Sequence, residues 1–156
     1  MNALRIAIRQ FWGELENIQG VPFSQLLASP TNPFGAVFPH NHADIRNAQG
    51  HLVSAPFPYI TYEIISQKYQ DQVFVSGRVW NSVPNNPGHF GLVDHVLGQF
   101  KRQFKGGAIA LDMNDGSGGV ILRFDRAFQM PRDMSNPLER DVTGGFMQMV
   151  IKDFIP

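Results

Sequence analysis

The sequence predicts an α+β domain: a mostly antiparallel sheet with two helices packed on one face, in the order helix-strand-strand-helix-strand-strand-strand, with long irregular arms. Three observations predict it. Two stretches repeat apolar residues at three- and four-residue steps, the signature of a helix with one buried stripe. Runs rich in β-branched and aromatic residues sit between and after those helices in groups, which favours helices segregated to one face over alternating parallel units. At 156 residues the chain has the size of one domain, 1–156, able to bury roughly two thirds of the surface its unfolded form exposes.

In the first element, Leu4, Ile8, Phe11, Trp12, Leu15 and Ile18 recur at helical spacing while Arg5, Arg9, Glu14 and Glu16 fall between them, so a helix is expected over 2–18, ending near Gln19-Gly20. From there to Pro58 the periodicity dissolves among Pro22, Pro30, Pro33, Pro39, Pro56 and Pro58, and 21–57 reads as a long loop or arm with a functional or interface role. The runs 59–66 and 73–80 predict two antiparallel strands, joined by a turn at Gln67, Lys68, Gln70 and Asp71 around Tyr69.

Asn86-Pro87 then supplies a cap and a first-turn proline for a helix in which Phe90, Val93, Leu97, Phe100 and Phe104 form the apolar stripe. Lys101, Arg102 and Lys105 favour its carbonyl end, and Gly106-Gly107 stops it. Strand-like runs at 108–111 and 120–124 flank a loop from Asp112 to Gly119 whose residues tolerate positive φ, which predicts a hairpin. A second arm is expected at 125–145, around Pro131, Pro137 and Gly144-Gly145, before 146–155 closes the chain as a strand.

Bulk composition narrows the functional classes. Thirteen basic residues balance thirteen acidic ones, so no global field draws the chain to nucleic acid or an anionic membrane. Cysteine is absent, which removes disulfides, thiolate metal sites and a Cys nucleophile and suits a reducing cytoplasm. Arginines interrupt the apolar residues of the N-terminus, unlike a signal peptide, and no apolar run is long enough to span a membrane. Charged residues make up 17%, against about 25% in soluble domains, a balance that fits a surface partly given to other protein.

The candidate chemical sites are sparse. His40, His42 and Asp44 alternate, so in an extended segment all three would face one way as zinc ligands, with a further imidazole required from His51, His89 or His95; polar loop residues are the plainer reading. Asp112, Asn114, Gly116 and Gly118 evoke a calcium loop, yet Arg123 stands where the bidentate Glu belongs, and a hairpin tip fits better. No Gly-Lys-Ser/Thr follows to grip a phosphate. Ser117 lies in Gly-Ser-Gly-Gly rather than a nucleophile elbow, and Asp94 and His95, adjacent on a helix, point about 100° apart. Phe100 and Phe104 with the neighbouring cations would make a nucleic-acid patch only if the aromatics faced solvent, whereas their spacing faces them to the core. No cofactor and no catalytic residue is expected, and the chain reads as a non-enzyme.

The order of elements resembles the phage tail-terminator and tail-completion family. The residues that carry the resemblance are Pro58-Tyr59-Ile60-Thr61-Tyr62-Glu63-Ile64, then Val73-Phe74-Val75-Ser76-Gly77-Arg78-Val79, the helix from Pro87 to Lys105, and the closing run from Phe146 to Phe154. The resemblance implies a structural virion protein that forms a ring, commonly a hexamer, at the head-proximal end of the tail. Such a ring stops tube growth and joins the tail to the head connector; a neck or other minor tail role is the alternative within that class. Its implied partners are its own copies, the tail tube protein and the head-tail connector or neck protein, with DNA only passing through the lumen and no membrane. A head-to-tail ring needs two complementary patches per subunit, which long arms at 21–57 and 125–145 would supply. Asp112, Asn114 and Asp115 are the expected lumen-facing loop. From other classes, the rival expectations are a small metal-binding domain or enzyme using His40 and His42, and a non-viral adaptor module that binds one partner through its loops.

Overall fold

The computed structural model describes residues 2–40, 43–67, 72–82, 89–113, 115–131 and 142–156. Helix α1 spans Asn2–Gly13 and helix α2 His89–Gln103. The strands are β1 Val37–Pro39, β2 Asp44–Arg46, β3 Leu52–Ser54, β4 Tyr59–Gln67, β5 Gln72–Ser82, β6 Ile109–Asp112, β7 Gly119–Gln129 and β8 Val142–Ile155. Six of them form one mixed sheet in the order β1-β4-β5-β8-β7-β6, in which only the β1–β4 pair is parallel, while β2 and β3 form a separate hairpin. No helix among the described residues is long and apolar enough to cross a membrane.

Both helices lie on the same face of the sheet. Opposed residues in an antiparallel pair share a face, so Ile60 and Tyr62 of β4, Gly77 and Val79 of β5, and Gly145 and Met147 of β8 form one side. Glycine at two of these positions lets the helices approach closely: a Cβ on Gly77 would stand 2.8 Å from the Trp12 ring, and one on Gly145 would stand 2.8 Å from Val93 and 3.0 Å from Leu97. Trp12 then stacks on Phe100 at 5.5 Å between centroids, which in turn meets Phe11, Phe104 and Phe124. The core therefore sits where the two helices meet over β5 and β8, and Ile8, Trp12, Val96 and Phe100 are fully buried in it.

Several boundaries differ from those the sequence predicts. Helix α1 stops at Gly13 rather than near residue 18, because the returning chain seals it there: Ser24 N–H donates to the Gly13 carbonyl at 2.9 Å, and a Cβ on Gly13 would meet Ser24 Cβ at 2.9 Å. Asn17 organises the turn that follows, accepting from Gln19 and Val21 N–H at 3.0 Å each, and Ile18 is left half exposed outside the apolar stripe. Residues 21–57 are not one irregular arm. Phe23, Ala36, Val37 and Phe38 are buried, β1 joins the main sheet beside β4, and 44–54 folds as the β2–β3 hairpin. These three extra short strands correct the expected element order. The outward side of β1 does not invite another strand, since Arg9 Nε donates to the Val37 carbonyl at 2.9 Å and Pro39 has no N–H.

Helix α2 ends at Gln103, so Lys101 and Arg102 occupy its last turn and Lys105 lies in the turn beyond. Its expected start at Asn86-Pro87, and residues 68–71, expected in the turn between the two strands before it, lie outside the described residues. The hairpin expected around Asp112 is present, with β6 and β7 paired from Ile109↔Leu122 to Asp112↔Gly119. Strand β7 runs on to Gln129 and β8 begins at Val142, so both ends of the expected 125–145 arm are sheet; its residues 132–141 lie outside the described set.

Candidate interaction surface

The face of the sheet opposite the helices is built from the alternate residues of the same strands. Thr61, Glu63 and Ile65 of β4, Phe74, Ser76, Arg78 and Trp80 of β5, Phe146, Gln148 and Val150 of β8, and Arg123, Arg126 and Phe128 of β7 all project to it. Two cross-strand ladders organise this face. Arg78 Nη1 lies 3.2 Å from Glu63 Oε1, its guanidinium sits 5.1 Å over the Phe146 ring, and Phe146 packs on Phe128 at 5.2 Å. Alongside, Ser76 Oγ donates to Gln148 Oε1 at 3.0 Å, Gln148 Nε2 donates to Asp125 Oδ2 at 2.7 Å, and Arg126 Nε reaches the same oxygen at 3.1 Å.

Each ladder crosses from the middle of the sheet to β7, and each polar member is satisfied within the row. Individual links of this kind are worth only about 0.5–1 kcal/mol. Their effect is to hold long side chains in fixed rotamers over a rigid sheet, which makes the face a preformed surface. It ends in exposed apolar side chains at both margins, Ile65 at 39% and Phe128 at 44% exposure. A β-bulge between Phe124 and Arg126 brings Asp125 onto this side and bends β7.

At the other end of the face, segment 43–55 lies beside the sheet and is closed on itself by the Ala55 N–H to Ala43 carbonyl bond at 2.8 Å. Between them lies a groove of about 300 Å³ lined by His40, Asp44, Ser54, Tyr59, Thr61 and Trp80. Trp80 Nε1 donates to Thr61 Oγ1 at 3.0 Å, which fixes the floor. Burial raises the Tyr59 phenol above its ordinary pKa, and the nearby Asp44 carboxylate raises it further. His40 and Asp44 line one groove, while His42 lies outside the described residues. His51 is elsewhere, exposed at the end of the β2–β3 turn with its N–H donated to Asn47 Oδ1 at 3.0 Å. Among the described residues no three His, Asp or Glu side chains come together as a metal site would require.

The remaining sequence candidates separate from one another. Asp112 and Asp115 are exposed at the β6–β7 tip, where Asp115 Oδ1 accepts from Ser117 N–H at 2.9 Å; the Ser117 hydroxyl first and that backbone bond second hold the carboxyl below its ordinary pKa. Asn114, between them, lies outside the described residues. Asp94 is bonded to Gln129 Nε2 at 2.9 Å. Phe100 and Phe104 are buried and Lys101, Arg102 and Lys105 exposed, so the aromatics and cations of α2 form no common patch. The helix-free face itself is not evident from the sequence, because Glu63, Arg78, Gln148 and Phe128 align only once strand register is fixed; the available signal is their strict alternation with core residues.

No protein-family model matches this sequence, and no curated protein matches it.

Proposed function

We propose that this chain is a structural, non-enzymatic subunit that assembles with its own copies into a ring of the tail-terminator kind, capping a phage tail tube at its head-proximal end. One observation carries the reading: a sheet with both described helices on one side presents, on the other, a rigid ladder-stiffened face with apolar margins at Ile65 and Phe128. A rigid face whose two ladders are paired internally and whose margins are apolar suits contact with another protein. The part of the expected order that the fold keeps, α1, then β4 and β5, then α2, then β6 to β8, supports the more specific identity, with the tail tube protein on one side of the ring, the head-tail connector or neck protein on the other, and the virion as its location. A hexamer is the expected copy number. In that setting the exposed carboxylates of Asp112 and Asp115 at the β6–β7 tip suit the lumen, where they would repel DNA phosphates and let the duplex slide.

Sedimentation velocity across a concentration series, alone and with tail tube protein, tests the proposal. A ring subunit sediments as a multiple of the 17.5 kDa chain or is driven into one by the tube. A chain that stays monomeric throughout and ignores tube protein overturns it. One observation favours a second reading, a small metal-binding domain: His40 and Asp44 line a single groove. Zinc ordinarily takes four ligands. Stoichiometric zinc in protein purified without chelator would promote this reading over the ring.

A further inference from the structure

We infer that the groove between α1, Phe34 and Tyr62 of β4 is a carboxylate-binding site centred on Arg9, a feature independent of the ring reading. Arg9 is half-buried and held from two sides: its Nε donates to the Val37 carbonyl at 2.9 Å, and its guanidinium lies 4.4 Å over the Phe34 ring. Those contacts use the Nε edge and one π face of the group and leave its Nη atoms to be answered. Among the described residues no carboxylate lies within ion-pair distance of it. A desolvated guanidinium fixed in place and lacking an anion is preorganised for one, because the ordering cost of a bidentate pair has already been met.

Arg9 lines two grooves. The larger, about 500 Å³, also contains Glu14, whose charge opposes an incoming anion. The smaller, about 220 Å³, is lined by Arg5, Ile6, Phe34 and Tyr62. Arg5 stands one helical turn before Arg9 and so on the same side of α1, which adds a second cation at the mouth. Tyr62 lines the same groove beside Arg9, and burial lowers the guanidinium pKa from its ordinary value. Two cations, a phenol and an apolar wall from Ile6 and Phe34 match a carboxylate on a short hydrocarbon stem. The volume is below that of ordinary small-molecule pockets, which start at about 300 Å³, so it fits a carboxylate group and its stem rather than an extended metabolite. Such a group is carried by a small organic acid and by an acidic side chain of a second copy of this chain.

The test follows the Arg9 Nε–H resonance by NMR while acetate replaces chloride at constant ionic strength. Expected is a saturating shift with acetate and none with chloride. Arg5→Gln, at an exposed position, should keep the fold and weaken acetate binding by roughly two- to fivefold, and Arg9→Gln should abolish the acetate-induced rise in melting temperature. Should Arg9→Gln fail to fold, Arg5→Gln and Tyr62→Phe carry the test. An acetate response no different from chloride, or an Arg5→Gln affinity equal to that of the wild type, overturns the site; inorganic phosphate binding where acetate does not overturns its assignment to carboxylates. If the resonance also moves with protein concentration alone and acetate reverses that shift, the bound carboxylate belongs to a second copy. If only added acid moves it, the source is a small molecule.

Discussion

At the scale of single residues, the close packing of helices on sheet rests on positions where only hydrogen fits. Gly77 lies under Trp12, a rigid ring with no rotamer to yield, so Gly77→Ala forces either the ring or β5 to move. The expected cost is about 1–3 kcal/mol, read as a lowered urea midpoint with unchanged slope. By contrast Gly91 and Gly106 have open space where a Cβ would stand, and alanine there should cost little at the solvent face. Tyr59 supplies a second residue-scale prediction. Its pKa is raised in the folded state by burial and by Asp44, so the native chain holds the phenolic proton more tightly than the unfolded one. Its contribution is complete below the unfolded pKa of about 10 and is lost as pH rises above that value. Tyr59→Phe should therefore flatten the fall in stability as pH rises above about 10; equal slopes for the two proteins in denaturant melts would refute the assignment.

At the scale of elements, what the sequence disclosed depended on whether an element is defined by its own residues or by a partner far along the chain. Helix α2 and strands β4 and β5 were legible because each is long enough for its period to repeat, whereas β7 was legible only to Phe124 and β8 only from Phe146, the bulge at Phe124/Arg126 and the Gly144-Gly145 pair breaking the alternation beyond. Strand β1 was not, since Val37–Pro39 is too short for alternation and exists through its parallel pairing with Ile60–Tyr62 of β4. The end of α1 was hidden for the same reason: Leu15 keeps helical spacing and is buried, but from a turn closed by Phe23 N–H on its carbonyl at 2.9 Å. At the candidate site, the His40–Asp44 neighbourhood was visible as a local motif, whereas Arg78 over Phe146 and Gln148 on Asp125 needed the β5–β8–β7 register and a bulge that no spacing announces. The β2–β3 hairpin is the element with the least support, making its own ladder and exposing Leu52 and Val53. Its turn depends on Asn47, whose Oδ1 accepts from Gln49 and His51 N–H at 3.0 Å each. Asn47→Ala should lose about 1 kcal/mol locally, seen as faster amide exchange confined to 44–54 with the global melting temperature unchanged.

At the scale of the whole molecule, the proposed assembly makes the two sides of the sheet inequivalent, and that asymmetry can be tested without knowing the partner. Phe128 is 44% exposed and touches Phe146 at the end of a ladder, so replacing it removes a cross-strand aromatic pair worth about 0.2–1 kcal/mol while leaving the helix-side core intact. Arg126 of the same strand face offers a new carboxylate at this position some electrostatic compensation. Phe128→Glu should consequently fold as the wild type does, by circular dichroism and melting, yet fail to enter the larger species in sedimentation velocity, because a charge placed in an apolar contact margin must be desolvated on association. Ile18→Glu provides the matched control: Ile18 is 50% exposed, and its neighbour Glu16 is tied to Gln99 of α2 at 2.9 Å, which places it on the helix side. That variant should assemble normally if the helix-free face is the contact. Loss of assembly in Ile18→Glu with its retention in Phe128→Glu would move the interface to the helical side and remove the observation on which the ring proposal stands.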